Sequence, residues 1–297
     1  MAGPNAVTDP VITTDLANKL IAAQFPDFAG LEIRPVQPGG WDNRTFRLGD
    51  NLSMRLPSAA RYAAQVQKEQ HWLPLLATQL SMPISQPVAL GKPSCGYPFH
   101  WSIYRWLPGE AALSCTLQCA DLEQLAEDLA GFLTRLHQIP VTNGPPPGAH
   151  NFWRGAHPRH YAAEVEQGLP LLTDPSDRQA ALNIWQDALS STWSRPPVWV
   201  HGDISAGNML LQNRQLAAVI DFGCLGIGDP ACDLTIAWTL LDNTARASFR
   251  AALPHLDTAC WIRAKGWALW KALPNLADDP NRPDGMPVIH KLINDPT

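Results

Sequence analysis

Long apolar runs are missing from these 297 residues: no uninterrupted one approaches the roughly 20 residues that cross a bilayer. The first residues, MAGPNAVTDPVITTDL, have neither a basic patch nor an apolar centre, so no export signal and no membrane partner are expected. Six cysteines, at 95, 115, 119, 224, 232 and 260, form no C-x-x-C pair. Cys115-x-x-x-Cys119 has no second His or Cys pair to complete a zinc site, which leaves free or buried thiols and, with the missing leader, a cytoplasmic location as the expectation. Positive charge is not in excess either: a net charge of -5 argues against nucleic acid or an anionic membrane as a general partner. Internal repeats and low-complexity tracts are absent, and the prolines are scattered except at Pro145-Pro146-Pro147-Gly148. What remains, with 45% hydrophobic residues, is enough for two packed lobes. The oligomeric state is left open.

The densest chemistry lies between Pro197 and Leu241. Two short apolar runs, Asn208–Leu211 and Leu216–Ile220, flank the polar turn Gln212-Asn213-Arg214 and read as a hairpin. The loop before it carries His201-Gly202-Asp203 and, five residues on, Asn208; the loop after it carries Asp221-Phe222-Gly223. If the strands pair, Asp203, Asn208 and Asp221 meet at one end. Two carboxylates and an amide oxygen are hard ligands of the kind magnesium takes together with water and phosphate. A lone Asp-x-x-x-x-Asn is ordinarily a pair of turn caps. Here H-x-D-x-x-x-x-N is followed one hairpin later by I-D-F-G, the order and spacing of the kinase signature pair.

On HGDISAGN and VIDFGCLGIGDPACDL the chain resembles the aminoglycoside phosphotransferase family, the small-molecule branch of the protein-kinase-like fold. The likeness is most specific over 199–238 and departs from the family's usual form at Ser205-Ala206, where His-Pro or similar is common. It implies an α+β, two-lobed fold: an N-terminal nucleotide-binding lobe with an antiparallel sheet over 1–106, and a mainly helical catalytic and substrate-binding lobe over 107–297. It also implies ATP, with GTP as the alternative, together with Mg2+, and a small-molecule hydroxyl as acceptor: an aminoglycoside, a macrolide, a sugar or a related metabolite. In that setting Asp203 orients the hydroxyl, while Asn208 and Asp221 hold the metal.

Taken in order, the chain opens with a helix over Thr14–Gln24, capped by Thr14 or Asp15, then strands at Ile33–Gln37, Thr45–Leu48 and Leu52–Leu56. The turn Pro38-Gly39-Gly40-Trp41-Asp42-Asn43 would lie over nucleotide phosphates in a kinase-like fold, although G-x-G-x-x-G is absent. No lysine lies between Lys19 and Lys68, so the cation that the resemblance puts on the third strand is Arg55. In the next helix Glu69 falls on the apolar stripe of Tyr62, Val66, Leu73 and Leu76, where an unpartnered carboxylate is costly; Arg55 is the partner expected. Pro74 should end or restart that helix. Strands at Val88–Leu90 and Phe99–Trp106 follow, and by resemblance the backbone around Tyr104 and Trp106 meets adenine at the hinge.

Beyond the hinge, Asp121 is expected to cap a helix striped by Leu122, Leu125, Leu129, Phe132 and Leu136, with His137 a structural histidine at its end. Residues 141–160, with His150, His157 and His160, read as a solvated loop. Asp174 starts another helix, and two more are expected near 244–252 and 257–272. Asp229 and Asp233 are expected to cap and anchor the helix that follows them. The five residues Cys224–Gly228 leave no room for the long activation segment of a protein kinase. The competing reading is a catalytically idle pseudokinase acting as a nucleotide-binding module; a metal-dependent hydrolase lacks its usual paired histidines.

Overall fold

The structure, a computed structural model, describes residues 9–37, 39–40, 42–279 and 282–295. The chain forms two compact units, Met1–Pro108 with Asp221–Gly223, and Gly109–Ile220 with Cys224–Thr297.

In the first unit, helix α1 (Thr14–Gln24) starts one residue later than its cap, because it is Thr13 whose hydroxyl accepts from the Leu16 N–H. Ala17, Leu20 and Ile21 of α1 are buried against the sheet core. Strands β1 (Ile33–Pro35), β2 (Asn43–Leu48) and β3 (Leu52–Pro57) precede helix α2 (Ala63–Ala77), and β4 (Pro87–Gly91) and β5 (Trp101–Arg105) follow it. They make an antiparallel sheet ordered β1-β2-β3-β5-β4. The two-residue side-chain period of β3 and β5 then sorts the chemistry: Met54, Leu56, Trp101 and Ile103 enter the core. Arg55 and Tyr104 are out of phase with them by one residue, and Arg55 pairs in register with Ser102. Gly91 is required where it stands, since a Cβ there would lie 2.0 Å from the Trp101 ring.

Helix α2 runs through Pro74, contrary to the break expected there. The proline sits one turn from the end, so little of the ladder is lost, and buried Leu73 and Leu76 hold the last turn in place. Pro38 and Trp41 of the glycine-containing turn lie outside the described residues.

The second unit begins with β6 (Glu110–Ala111) and helix α3 (Cys119–Gln138). Leu125, Leu129, Phe132 and Leu136 of α3 are buried as its stripe requires. Asp121 is not the cap but the third helical residue; its carboxylate reaches back to the Gln118 N–H at 2.9 Å in a capping box. Helices α4 (Ala162–Gly168) and α5 (Pro175–Ser190) lead to strand β7 (Val198–Val200), the hairpin β8 (Met209–Gln212) and β9 (Gln215–Val219), and strand β10 (Gly226–Gly228). The hairpin turns at Asn213-Arg214, both with positive φ (50° and 65°), as a two-residue turn matched to strand twist demands. Helices α6 (Ile236–Thr239), α7 (Asn243–Ala251), α8 (Thr258–Ala272), α9 (Asn275–Asp278) and α10 (Met286–Ile293) complete the unit. Helix α8 is its axis, packed on α5 so closely that a Cβ at Gly266 would lie 2.5 Å from Ala188.

Residues 141–160 are a solvated loop only in part: Thr142, Asn143, Pro146, Arg159 and His160 are exposed, while Asn151, Arg154 and Pro158 are buried. Asn151 is fully buried, donates to the Arg154 carbonyl at 3.0 Å and accepts from the Gly148 N–H at 3.0 Å, while the Pro145 carbonyl takes the Ile227 N–H. Side-chain amides satisfy the backbone where strand or helix does not. Among the described residues no three His, Cys, Asp or Glu side chains group as a metal site, and no helix is long and apolar enough to cross a membrane.

His137 at the end of α3 is structural, its Nδ1 lying 3.0 Å from Nε2 of His255. Burial, then the nearby His255, pulls His137 down to about 3, and burial lowers His255 as well. A histidine whose folded value lies below its unfolded one supports the fold fully above pH 6.5 and loses that support as pH falls through 6.5 towards 3. The melting temperature should therefore drop on acidification below pH 6.5, with this pair contributing at most about 1.4 kcal/mol per pH unit per histidine. Thermal scans of His137→Leu should show a flatter slope than the parent; parallel slopes would contradict the assignment.

Candidate active site

Strand β7 delivers His201, Gly202 and Asp203 to the turn before the hairpin. Gly202 has φ 84°, and a Cβ there would fall 2.3 Å from the Cys224 carbonyl oxygen, so only glycine fits. The turn is pinned from below by Asp233. Its fully buried carboxylate accepts the His201 N–H at 2.8 Å and the Gly202 N–H at 2.7 Å. Burial raises the proton affinity of Asp233, with His201 and the two N–H groups opposing it. The imidazole of His201 then joins the two loops: Nε2 donates to the Ile220 carbonyl at 3.0 Å, and Nδ1 accepts the Asp203 N–H at 3.1 Å. Asp233 thus holds the turn rather than the helix that follows it. Asp229 does cap, accepting the Ala231 N–H at 3.1 Å, and also forms a buried two-point pair with Arg263.

Asp203 and Asn208 come together as the spacing suggests. Asn208 Nδ2 donates to the Asp203 carbonyl at 2.9 Å and to its Oδ2 at 3.2 Å. The same amide's oxygen is thereby turned away from Asp203. The other oxygen of the carboxylate, Oδ1, accepts from Lys271 Nζ at 2.8 Å. Burial works to raise Asp203, but the charge and hydrogen bond of Lys271, with Arg154 and His201 behind them, outweigh it and hold the carboxyl at about 2. Lys271 and Arg154 were not marked by any motif. Lys271 ends the W-A-L-W-K run of α8 and reads in sequence as a cation at a helix C-terminus, while Arg154 sits within Phe152-Trp153-Arg154-Gly155.

Asp221 belongs to the first unit, where it meets Arg55 of β3 and Glu69 of α2. Arg55 Nη2 donates to Asp221 Oδ1 at 2.6 Å and Nη1 to Glu69 Oε1 at 3.4 Å; the Tyr104 hydroxyl donates to Glu69 Oε2 at 2.7 Å. Burial lowers the Arg55 guanidinium's proton affinity, but Asp221 and Glu69 reverse this and keep it charged. Burial pushes both Glu69 and Tyr104 upward, the tyrosine also because of the adjacent glutamate. Lys68 Nζ donates to the Gly223 carbonyl at 2.8 Å, fixing the residue pair after Asp221. Asp221 itself is left-handed, φ 65°, a conformation an aspartate tolerates at some cost and that tends to be kept where a side chain must point one way.

Trp106 stands apart from this cluster, its ring under the Arg47 guanidinium at 4.0 Å, and its N–H already donates to the Asn51 carbonyl at 2.8 Å. The Arg105 N–H is likewise bonded to the Gln86 carbonyl, and the Tyr104 side chain is occupied with Glu69. These N–H groups are therefore not free donors for a purine edge, because β5 uses its backbone to stay in the sheet.

Taken singly, Asn208 offers an amide oxygen and Asp221 a carboxylate whose side chain is 37% exposed, both hard oxygens of the kind magnesium takes. Asp233→Ala should leave the buried His201 and Gly202 N–H groups without an acceptor and cost about 3 kcal/mol. Urea unfolding reads this as a lower midpoint at unchanged slope; an unchanged midpoint would show that the turn does not depend on it.

The family model described as phosphotransferase enzyme family, APH, matches residues 32–271. Two aminoglycoside 3'-phosphotransferases, from Escherichia coli and Salmonella typhimurium, are each 31% identical over 151 residues, 48% of this chain and 52% of theirs. The chain thus spans about half the length of the curated relatives it matches. Among solved structures, the GDP complex of aminoglycoside 2'-phosphotransferase-IIIa is similar in fold, with TM-score 0.74 and 22% identity over 95% of this chain and 99% of that one. So is macrolide 2'-phosphotransferase MphH from Brachybacterium faecium, with TM-score 0.62 and 19% identity over 95% and 99%. By the span of the family match, this two-unit α+β chain belongs to the phosphotransferase enzyme family, APH.

Proposed function

We propose that the protein transfers the γ-phosphoryl group of ATP, or of GTP as the alternative, to a hydroxyl of a small molecule, and that it works with Mg2+. The observation that carries this is the state of Asp203: a carboxylate 40% exposed, fixed by Asn208 and Lys271 at the end of β7, and held ionised at about 2. So acidic a group is a poor base for an alcohol in its ground state. It suits phosphoryl transfer, whose loose transition state needs the hydroxyl aligned and its proton accepted only late. Asp203 would accept the hydroxyl's hydrogen bond and set its direction; His201 and Asp233 would keep that direction constant. Asn208 and Asp221 would hold magnesium, which supplies charge neutralisation on the phosphates when bound. Arg55, steadied by Glu69, would take the α/β-phosphates; an arginine fork can grip them at two points and stays charged at any working pH. Tyr104 serves the same cluster through Glu69. The GDP, ADP, aminoglycoside and macrolide in the names of relatives and neighbours belong to those proteins, and they make the same nucleotide and acceptor classes the first to try here.

ADP release should require magnesium, and Asp203→Ala should lower turnover by about 10³-fold while ATP still binds. An Asp203→Ala protein that keeps a tenth or more of parental turnover, roughly, would overturn the assignment. A parent that binds ATP without turning it over, on a broad hydroxyl panel and in water, would favour the idle nucleotide-binding module instead.

A further inference from the structure

The surroundings of Asp203 carry a charge pattern that bears on the acceptor, granted the phosphotransferase reading above. Lys271 sits on one carboxylate oxygen at 2.8 Å. Arg154 lies one residue away, its Nε donating to the Gly202 carbonyl at 2.9 Å. Arg154 is held rigidly: its backbone neighbours Phe152, Trp153 and Gly155 all have positive φ (50°, 54° and 83°). Its guanidinium lies against the rings of Trp270, Trp267 and Tyr161 at 4.6, 5.3 and 5.9 Å. Two non-glycine residues in the left-handed region beside one arginine, Phe152 and Trp153, are a local cost retained for the sake of the side chain's position.

Two donors in this cluster have no acceptor among the described residues. Arg154 Nη1 and Trp267 Nε1 are both buried and unbonded, on residues 8% and 1% exposed. Buried N–H groups of this kind are ordinarily satisfied, by the protein or by an oxygen-bearing group from outside it. Trp267, Trp270 and Lys271 share one face of α8 by their spacing, so the shelf and the ammonium are presented together. Trp270 stacks on Tyr161 at 4.1 Å and donates to Glu164, the acid of the cluster, at 2.6 Å.

A polycationic acceptor needs acids where its ammonium groups come to rest. Of the acids in this lobe, Glu164 accepts from the Trp270 indole, Asp242 caps α7 by accepting the Ala245 N–H, and Glu166 is exposed. The Asp278 side chain lies outside the described residues. Beside the Asp203 carboxylate itself stand Lys271, bonded to it, and Arg154, bonded to the neighbouring Gly202 carbonyl. We propose that the natural acceptor is a hydroxyl compound that carries a carboxylate or phosphate group, recognised by Arg154 and Lys271 over the Tyr161–Trp270 shelf. The transfer itself balances in the ordinary way: the acceptor oxygen forms the new P–O bond, the bond from γ-phosphorus to the β-bridging oxygen breaks, nucleoside diphosphate leaves, and the hydroxyl proton passes to Asp203.

The test uses the full chain with ATP and magnesium and measures ADP release on acceptors matched in ring and hydroxyls but not in charge: glucuronate, glucose and glucosamine, with small phosphorylated and carboxylated polyols and kanamycin beside them. The expected result is turnover of anionic members with a preference of about tenfold or more over neutral matches, the scale of one charge-assisted contact. In Lys271→Met, and independently in Arg154→Gln should the first fail to fold, that preference should collapse through a rise in KM for the anionic member. Turnover confined to neutral or cationic acceptors, or none of any anionic member, overturns the proposal while leaving the phosphotransferase reading intact. A Lys271→Met protein slowed by one factor on every acceptor, its charge preference unchanged, also overturns it and assigns the ammonium to the transferring phosphoryl group. Absence of ATP consumption with every acceptor and with water would sink the underlying reading as well.

Discussion

The second unit's chemistry depends on one buried carboxylate. Asp233, at 0% exposure, is taken out of water at a cost of several kcal/mol in order of magnitude, offset by two short N–H bonds to His201 and Gly202. Those bonds fix the exit of β7, and Gly202 can follow the path because it has no side chain to strike Cys224. From there the order passes outward: the His201 ring ties Ile220 to Asp203, Asn208 bonds the aspartate at two points, and Lys271 completes its surroundings. A carboxylate so held has little freedom left to lose when a substrate arrives, which is the economy that positioning requires.

The first unit solves a different problem with the same means. The planar fork of Arg55 reaches two carboxylates, Glu69 and Asp221, at once. Tyr104 fills the remaining acceptor of Glu69, so a helix and two strands are tied through one side-chain network. Such networks are stable only when every member is satisfied. That explains why Glu69 can sit on the apolar stripe of α2.

Much of this was legible from residue type and spacing. The pairing of Arg55 with Glu69 follows from the cost of burying a charge alone, and the Asp203–Asn208 contact from a five-residue spacing that closes a turn. The hairpin and its register follow from two apolar runs and a polar turn. What the sequence hides is long-range. Asp233 looks like a cap for the helix beside it, because its true partners lie about thirty residues earlier. Lys271 and Arg154 carry no local pattern: one resembles a helix-end cation, the other a loop residue among prolines and histidines. Residues 141–160 seem solvated by composition, yet Asn151 substitutes for missing secondary structure and anchors the middle of the segment in the core. Pro74 misleads for the opposite reason, since tertiary packing of Leu73 and Leu76 overrides a local breaker. At the hinge, the Trp106 N–H goes to the Asn51 carbonyl in the turn before β3, a long-range bond that residue type does not announce.

The proposal that Asn208 and Asp221 each contribute an oxygen to a divalent ion on the nucleotide is the one to test first. Manganese in place of magnesium makes this directly visible, because the electron paramagnetic resonance signal of free Mn2+ is lost on binding. In the presence of ATP, at a manganese concentration that saturates the parent, Asn208→Ala and Asp221→Ala should each return most of the ion to the free signal, with ATP binding in the absence of metal little altered. Two variants that bind manganese as the parent does would contradict the claim.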